Sequence, residues 1–179
     1  MKIEIKNSGL TLLELLTAMA IILIMVSMVL VATQVSWIDT NKKLTESTIA
    51  LLDSALEDYR EYYTGSTFPD PNALLAVDFS SCKDPNQTRH SASLYSVLNS
   101  VPDAKKILEK IADSQITLIE ATGGNKYPVF IDAWGTVLDY RYVDGMTFPL
   151  IISAGPNRKF EFDPIQPLKD IGDDITNRR

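Results

Sequence analysis

The chain has 179 residues with 17 Lys+Arg against 23 Asp+Glu, a formal charge of −6, one cysteine and one histidine. An acidic balance argues against nucleic-acid binding, which needs a basic surface. A single Cys82 excludes an intrachain disulfide, and a lone His90 without Cys/His partners is a poor start for a transition-metal site.

The first nine residues, MKIEIKNSG, form a short polar leader ending in Gly9. They carry +1 from Lys2, Lys6 and Glu4, so the chain beyond Gly9 is at −7. Residues 10–32 are then apolar on every face, with Glu14 as the one charge. The 21 residues 12–32 would make a helix of about 31 Å, enough for a hydrocarbon layer of about 30 Å. The run exceeds the roughly 7–15 apolar residues of a cleaved secretory signal, so a retained membrane span is expected. Lys2 and Lys6 before it place the N-terminus in the cytoplasm by the positive-inside rule. A charge at the centre of such a helix costs about 2.5–3.5 kcal/mol, less towards its end. Glu14 therefore either snorkels to the cytoplasmic headgroups or has a cationic partner.

Helical periodicity continues past the span through residues 33–63. Leu44, Thr48, Leu51, Leu52, Ala55, Leu56, Tyr59 and Tyr63 recur at three- and four-residue steps, with Asp53, Glu57, Asp58, Arg60 and Glu61 on much of the opposite side. Gly65 and the prolines at 69 and 71 stop it. One helix from Leu10 to near Tyr63 is expected, its first half in lipid and its second packed on a domain formed by residues 64–179.

Residues 66–90 read as a Ser/Pro/Asp/Asn-rich loop. Two short helices follow, one over residues 91–98 and one capped by Asp103 with Ile107, Leu108 and Ile111 as its apolar side. Strands are expected at 115–120, 129–132, 136–143 and 147–153. In the third, Leu138, Tyr140 and Tyr142 share one face and Asp139 and Arg141 the other. Asp144-Gly145 is a hairpin turn signal, and Pro149 fits the last strand only at an edge. The fold class is α+β: a small antiparallel sheet on the second half of a long helix. Trp134 and Gly135 read as a tight turn with a buried indole. Asp132 and Asp139 lack an accompanying nucleophile or oxyanion motif, so no enzyme is expected.

Gly9-Leu10-Thr11-Leu12-Leu13-Glu14 resembles the class III signal of type IV pilins and type II secretion pseudopilins. The resemblance implies cleavage after Gly9 by a prepilin peptidase and methylation of the new amine on Leu10, where the family normally has Phe. It also implies an assembly role for Glu14, paired in a filament with the α-amine of an adjacent subunit. Asp132-Ala133-Trp134-Gly135-Thr136, followed by Tyr140-Arg141-Tyr142, is similar to the Asp-Pro-Trp-Gly block of major type II secretion pseudopilins. Ser153-Ala154-Gly155-Pro156-Asn157 and Asp173-Asp174-Ile175-Thr176-Asn177 extend the likeness, which covers roughly residues 1–63 and 128–179.

That likeness implies a structural calcium ion, with Asp173 and Asp174 as carboxylate ligands and Ser153 and Asn157 on the opposite side of the loop. Asn157 stands where the family usually has Asp. The alternative is a solvated acidic turn, with one of the two aspartates paired to Arg178. The partners implied are the peptidase, other copies and related pseudopilins in a filament, and an inner-membrane assembly platform. The expected location is the bacterial inner membrane, crossed once, with the C-terminal domain in the periplasm or outside. A pilus subunit and a membrane-anchored binding module that never polymerises are the alternatives.

Overall fold

The computed structural model describes residues 12–65, 67–142, 146–161 and 173–177. Helix α1 runs Leu12–Tyr62, as the unbroken periodicity requires. It contributes to two compact units, one ending at Asp39 and one spanning Thr40–Arg179. In the first unit, Leu12–Leu30 is long and apolar enough to cross a membrane and none of it is buried within the protein. Its hydroxyls are satisfied inside the helix: Thr17 donates to Leu13 O (3.0 Å), Ser27 to Leu23 O (2.7 Å) and Thr33 to Leu30 O (2.9 Å). Such back-bonding lets a polar side chain sit in lipid without an unmet donor.

The second unit is α+β. After α1 come α2 (Pro85–Leu98), α3 (Pro102–Leu108) and a 3-10 turn (Asp113–Gln115). The strands are β1 (Ile116–Glu120), β2 (Lys126–Phe130), β3 (Asp139–Arg141), β4 (Leu150–Ser153) and β5 (Ile175–Thr176). They make two antiparallel sheets where one was expected: β1–β2, with Ile116 opposite Phe130, and β3–β4–β5, with Tyr140 opposite Ile151 and Ser153 opposite Ile175. The division falls at residues 131–138. There the expected Trp134-Gly135 turn separates the second and third strands, and the expected third strand is shortened to a bridge residue, Val137 opposite Ile131, followed by β3.

Ile49, Leu52, Ala55 and Leu56 of α1 are buried against Leu94 and Leu98 of α2, Ala104 and Leu108 of α3, and Phe130, Leu138, Tyr140 and Ile151. The stripe is shifted from the expected one. Asn41 and Thr45 are buried, whereas Leu44 and Tyr63 are exposed. The helix ends as expected, with the Gly65 amide donating to Arg60 O (2.7 Å). Helix α2 begins six residues earlier than the sequence suggested, because Pro85 is well suited to a first helical turn, where its missing N–H is no loss. Asp103 is inside the first turn of α3 rather than its cap, and pairs with Lys106 at 2.7 Å. The Asp144-Gly145 turn lies outside the described residues.

The face of β3 that carries Asp139 is covered by α2. Asp139 is 1% exposed, with Oδ1 2.8 Å from His90 Nδ1 and Oδ2 accepting from Arg141 Nε at 2.6 Å. Burial pushes the Asp139 carboxyl up, but the hydrogen bonds and charges of His90 and Arg141 outweigh it and hold the group below the usual range. The lone histidine is thus a clamp between α2 and β3.

Asp53 behaves oppositely. Burial, helped by the charge of Glu57 and opposed by a hydrogen bond from Asn177, pushes its carboxyl up to about 6. The folded state therefore binds a proton more tightly than an unfolded aspartate at about 3.9, and stability falls as pH rises from about 4 to about 6. Asp53→Asn keeps an acceptor for Asn177 Nδ2 (2.8 Å from Asp53 Oδ1) and removes the charge. Thermal melts of this variant are expected to show a higher Tm at pH 7 and a flatter profile between pH 4 and 6. An unchanged pH profile would contradict the assignment.

Candidate assembly signal and C-terminal loop

Gly9 and Leu10 lie outside the described residues. Glu14 lies in the first turn of α1, where a carboxylate also meets the positive end of the helix dipole. The side chains around it, Leu12, Leu13, Leu15 and Leu16, are all exposed. Along 12–30 it is the sole charged residue in a surface whose natural solvent is lipid.

In the second unit the motif residues form one connected structure. Asp132 to Thr136 make a closed turn: Asp132 N donates to Thr136 O (2.8 Å) and Gly135 N to Asp132 O (3.0 Å). Gly135 has φ +83°, a conformation that an L side chain rarely adopts. The Asp132 carboxylate fills the turn, Oδ1 accepting from Trp134 N (3.0 Å) and Thr136 N (2.8 Å) and Oδ2 from Ser153 Oγ (2.7 Å). Burial pushes this carboxyl up, against those hydrogen bonds and the charge of Arg158. Ala133 N donates to Thr45 Oγ1 of α1 (3.1 Å), and Trp134 packs into the core as expected. Tyr140 Oη donates to Pro69 O (2.8 Å), pinning the long loop that precedes α2. The Asp-x-Trp-Gly block therefore docks the sheet region on α1.

Of the four proposed calcium ligands, Asn157, Asp173 and Asp174 belong to one loop cluster, while the Ser153 hydroxyl is engaged elsewhere. Ser153 donates to Asp132 and accepts from Gly155 N (3.1 Å). Asp173 Oδ2 accepts from Asn157 N (3.0 Å), and Asp174 Oδ2 from Glu161 N (2.9 Å). Asn157 Nδ2 donates to Glu161 Oε1 (3.0 Å), and its amide oxygen accepts from Lys159 N (2.7 Å). Gly155, at φ +63°, allows the closest approach: a Cβ there would collide with the backbone carbonyl of Asp173. Arg178 lies outside the described residues.

This cluster suits a hard cation in its donor chemistry. Its carboxylate and amide oxygens are the ligands calcium takes, and Asp173 Oδ1 is buried with no hydrogen-bond partner among the described residues. Among the described residues no three of His, Cys, Asp and Glu are grouped as a metal set. Backbone carbonyl or water oxygen would have to complete the six to eight ligands calcium takes.

Asn177, at the end of the 173–177 block, joins three parts of the domain. Its side chain donates to Asp53 Oδ1 (2.8 Å) and Pro149 O (3.0 Å) and accepts from Ile151 N (3.1 Å). It fastens β5 to both α1 and β4. Thr45 and His90 were missed as contacts, since their partners are 88 and 49 residues away.

Residues 5–30 match the family described as the prokaryotic N-terminal methylation motif. No curated protein and no solved structure matches the chain. The matched segment contains Gly9, Leu10 and Glu14 and most of the apolar helix. The chain thus carries a prepilin-type signal, of the type IV pilin-like kind, on a helix long and apolar enough to cross a membrane, and that motif implies processing by a prepilin peptidase and assembly with pilin-type subunits.

Proposed function

We propose that this chain is a structural subunit of a type II secretion pseudopilus. The observation that carries the reading is Glu14, a carboxylate in the first turn of an otherwise apolar helix, five residues beyond the cleavage glycine of a methylation signal. Trimming after Gly9 would create an α-amine on Leu10. In a filament of parallel helices that amine, from an adjacent subunit, meets Glu14 in a water-poor core and fixes axial register. The pair compensates a charge that lipid alone would penalise by roughly 2.5–3.5 kcal/mol at mid-membrane. The subunit enters the inner membrane once with its N-terminus in the cytoplasm, and the assembly platform extracts it into the filament. The secretion role is favoured over a pilus because the Asp132-to-Thr136 turn, Tyr140 and the 173–177 block together resemble a pseudopilin head. Asp132 and Asp139 support a structural rather than catalytic reading, since turn amides and Ser153 saturate the first and His90 and Arg141 the second.

Glu14→Ala is expected to insert into membranes normally and to lose most of the ladder of crosslinked multimers in cells carrying the assembly machine. A wild-type ladder from this variant would contradict the assembly role.

Calcium would be held by Asp173 and Asp174, with Asn157 beside them, and would supply a charge-neutralising crosslink between the segments 153–161 and 173–177. A ligand at about 100 times its Kd stabilises by about 2.7 kcal/mol, which is several degrees for a domain of this size. The Tm is expected to rise by that order in calcium relative to chelator, and the rise to vanish in Asp173→Ala. Equal melts in calcium and chelator would remove the cation from the account.

A further inference from the structure

Within residues 12–39 Glu14 and Asp39 are the only charges and Trp37 is the only aromatic residue. Trp37 is 57% exposed and Ile38 beside it 45% exposed, so both present apolar surface outward among the described residues. An exposed tryptophan a few residues beyond an apolar span is the side chain that prefers the headgroup layer, with an apolar body and one N–H donor.

The spacing then becomes informative. From Glu14 to Trp37 is 23 residues, about 34–35 Å along a helix. That exceeds the hydrocarbon layer of about 30 Å and falls short of the whole bilayer at about 40–45 Å. A helix centred on the apolar stretch Leu12–Leu30 would put Glu14 about 4–5 Å inside one hydrocarbon boundary and leave Trp37 about 9 Å beyond the other. Sliding the helix by about three residues brings both into interfacial layers. The slide draws Thr33 into the hydrocarbon, and its hydroxyl already donates to Leu30 O at 2.9 Å. Its burial leaves no donor unmet.

The geometry points to a membrane-interface anchor at Trp37 and Ile38 that seats in the phospholipid headgroups. The anchor holds residues 15–33 in the hydrocarbon, with Gln34 at the boundary nearest Trp37 and Glu14 at the opposite boundary of the unassembled subunit. Trp37 is thereby a depth stop. Glu14 meets hydrated headgroups while the subunit waits in the bilayer and leaves them only when the helix moves. This inference rests on the membrane-anchored reading, and the test separates the two.

The full chain is reconstituted into phosphatidylcholine/phosphatidylglycerol vesicles and floated on a gradient. Trp37 depth is then read by fluorescence quenching with lipids brominated at defined acyl positions, with Trp37→Phe supplying the background from the buried Trp134. In parallel, Glu14→Cys in a Cys82→Ser background is labelled with a membrane-impermeant maleimide, with and without Trp37→Ala. The expected result is quenching strongest for bromines nearest the headgroup, and Glu14→Cys labelling that slows several-fold when Trp37 is removed. Floating vesicles in which no brominated lipid quenches Trp37, or labelling indifferent to Trp37, would overturn the anchor while leaving the membrane reading intact. A chain that fails to float would overturn both.

Discussion

One helix has to satisfy two solvents, and the chemistry of this protein follows from how α1 does so. Over Leu12–Leu30 it is apolar on all sides and returns its hydroxyls to its own carbonyls, the solution required where no water is available. From Thr40 onward the same helix belongs to a folded unit, where only one stripe is buried: Asn41, Thr45, Thr48, Ile49, Leu52, Ala55 and Leu56. Fully burying a leucine contributes about 1.5–3 kcal/mol. Leu52 and Leu56, both at 0% exposure, therefore organise α2, α3 and both sheets around α1.

The polar contacts of the domain are arranged as a relay from that helix to the C-terminus. Thr45 accepts the Ala133 amide, Asp132 gathers the turn and Ser153, Ser153 accepts Gly155 N, and Gly155 makes room for Asp173. Asn177 closes the circuit by returning to Asp53 of α1. Each hydrogen-bonded link is a buried or half-buried group whose loss would leave a partner unsatisfied, which is costlier than the net worth of the bond itself. The acidic pair Asp173–Asp174 stands on this relay, so a cation bound there would brace the same path that connects the last strand to the helix.

Much of this was legible in the sequence because it is local. The apolar run, the Gly9–Glu14 spacing, the helix stop at Gly65 and the Trp-Gly turn each depend on residues within one or two turns of each other. What escaped depends on distant partners. Asp139 alternates with Tyr140, and the alternation alone does not say what covers its face. Helix α2 covers that face and supplies His90, and a carboxylate with two cationic or donor partners can be buried. Thr45 is absent from the expected stripe because its hydroxyl meets the Ala133 amide only once the 132–136 turn has formed. Strand β5 has two residues and no periodicity to detect. Likeness offered Ser153 as a side-chain or nearby backbone oxygen, and its hydroxyl donates to the carboxylate of Asp132.

The central claim is that the N-terminal segment is a processed assembly signal, and intact-mass analysis addresses it most directly. The full chain is expressed with and without a prepilin peptidase and weighed. The account predicts loss of residues 1–9 and addition of one methyl group only when the peptidase is active. A chain that keeps its full mass beside an active peptidase would contradict it, and would leave an anchored domain in which Gly9 and Glu14 have no assembly role.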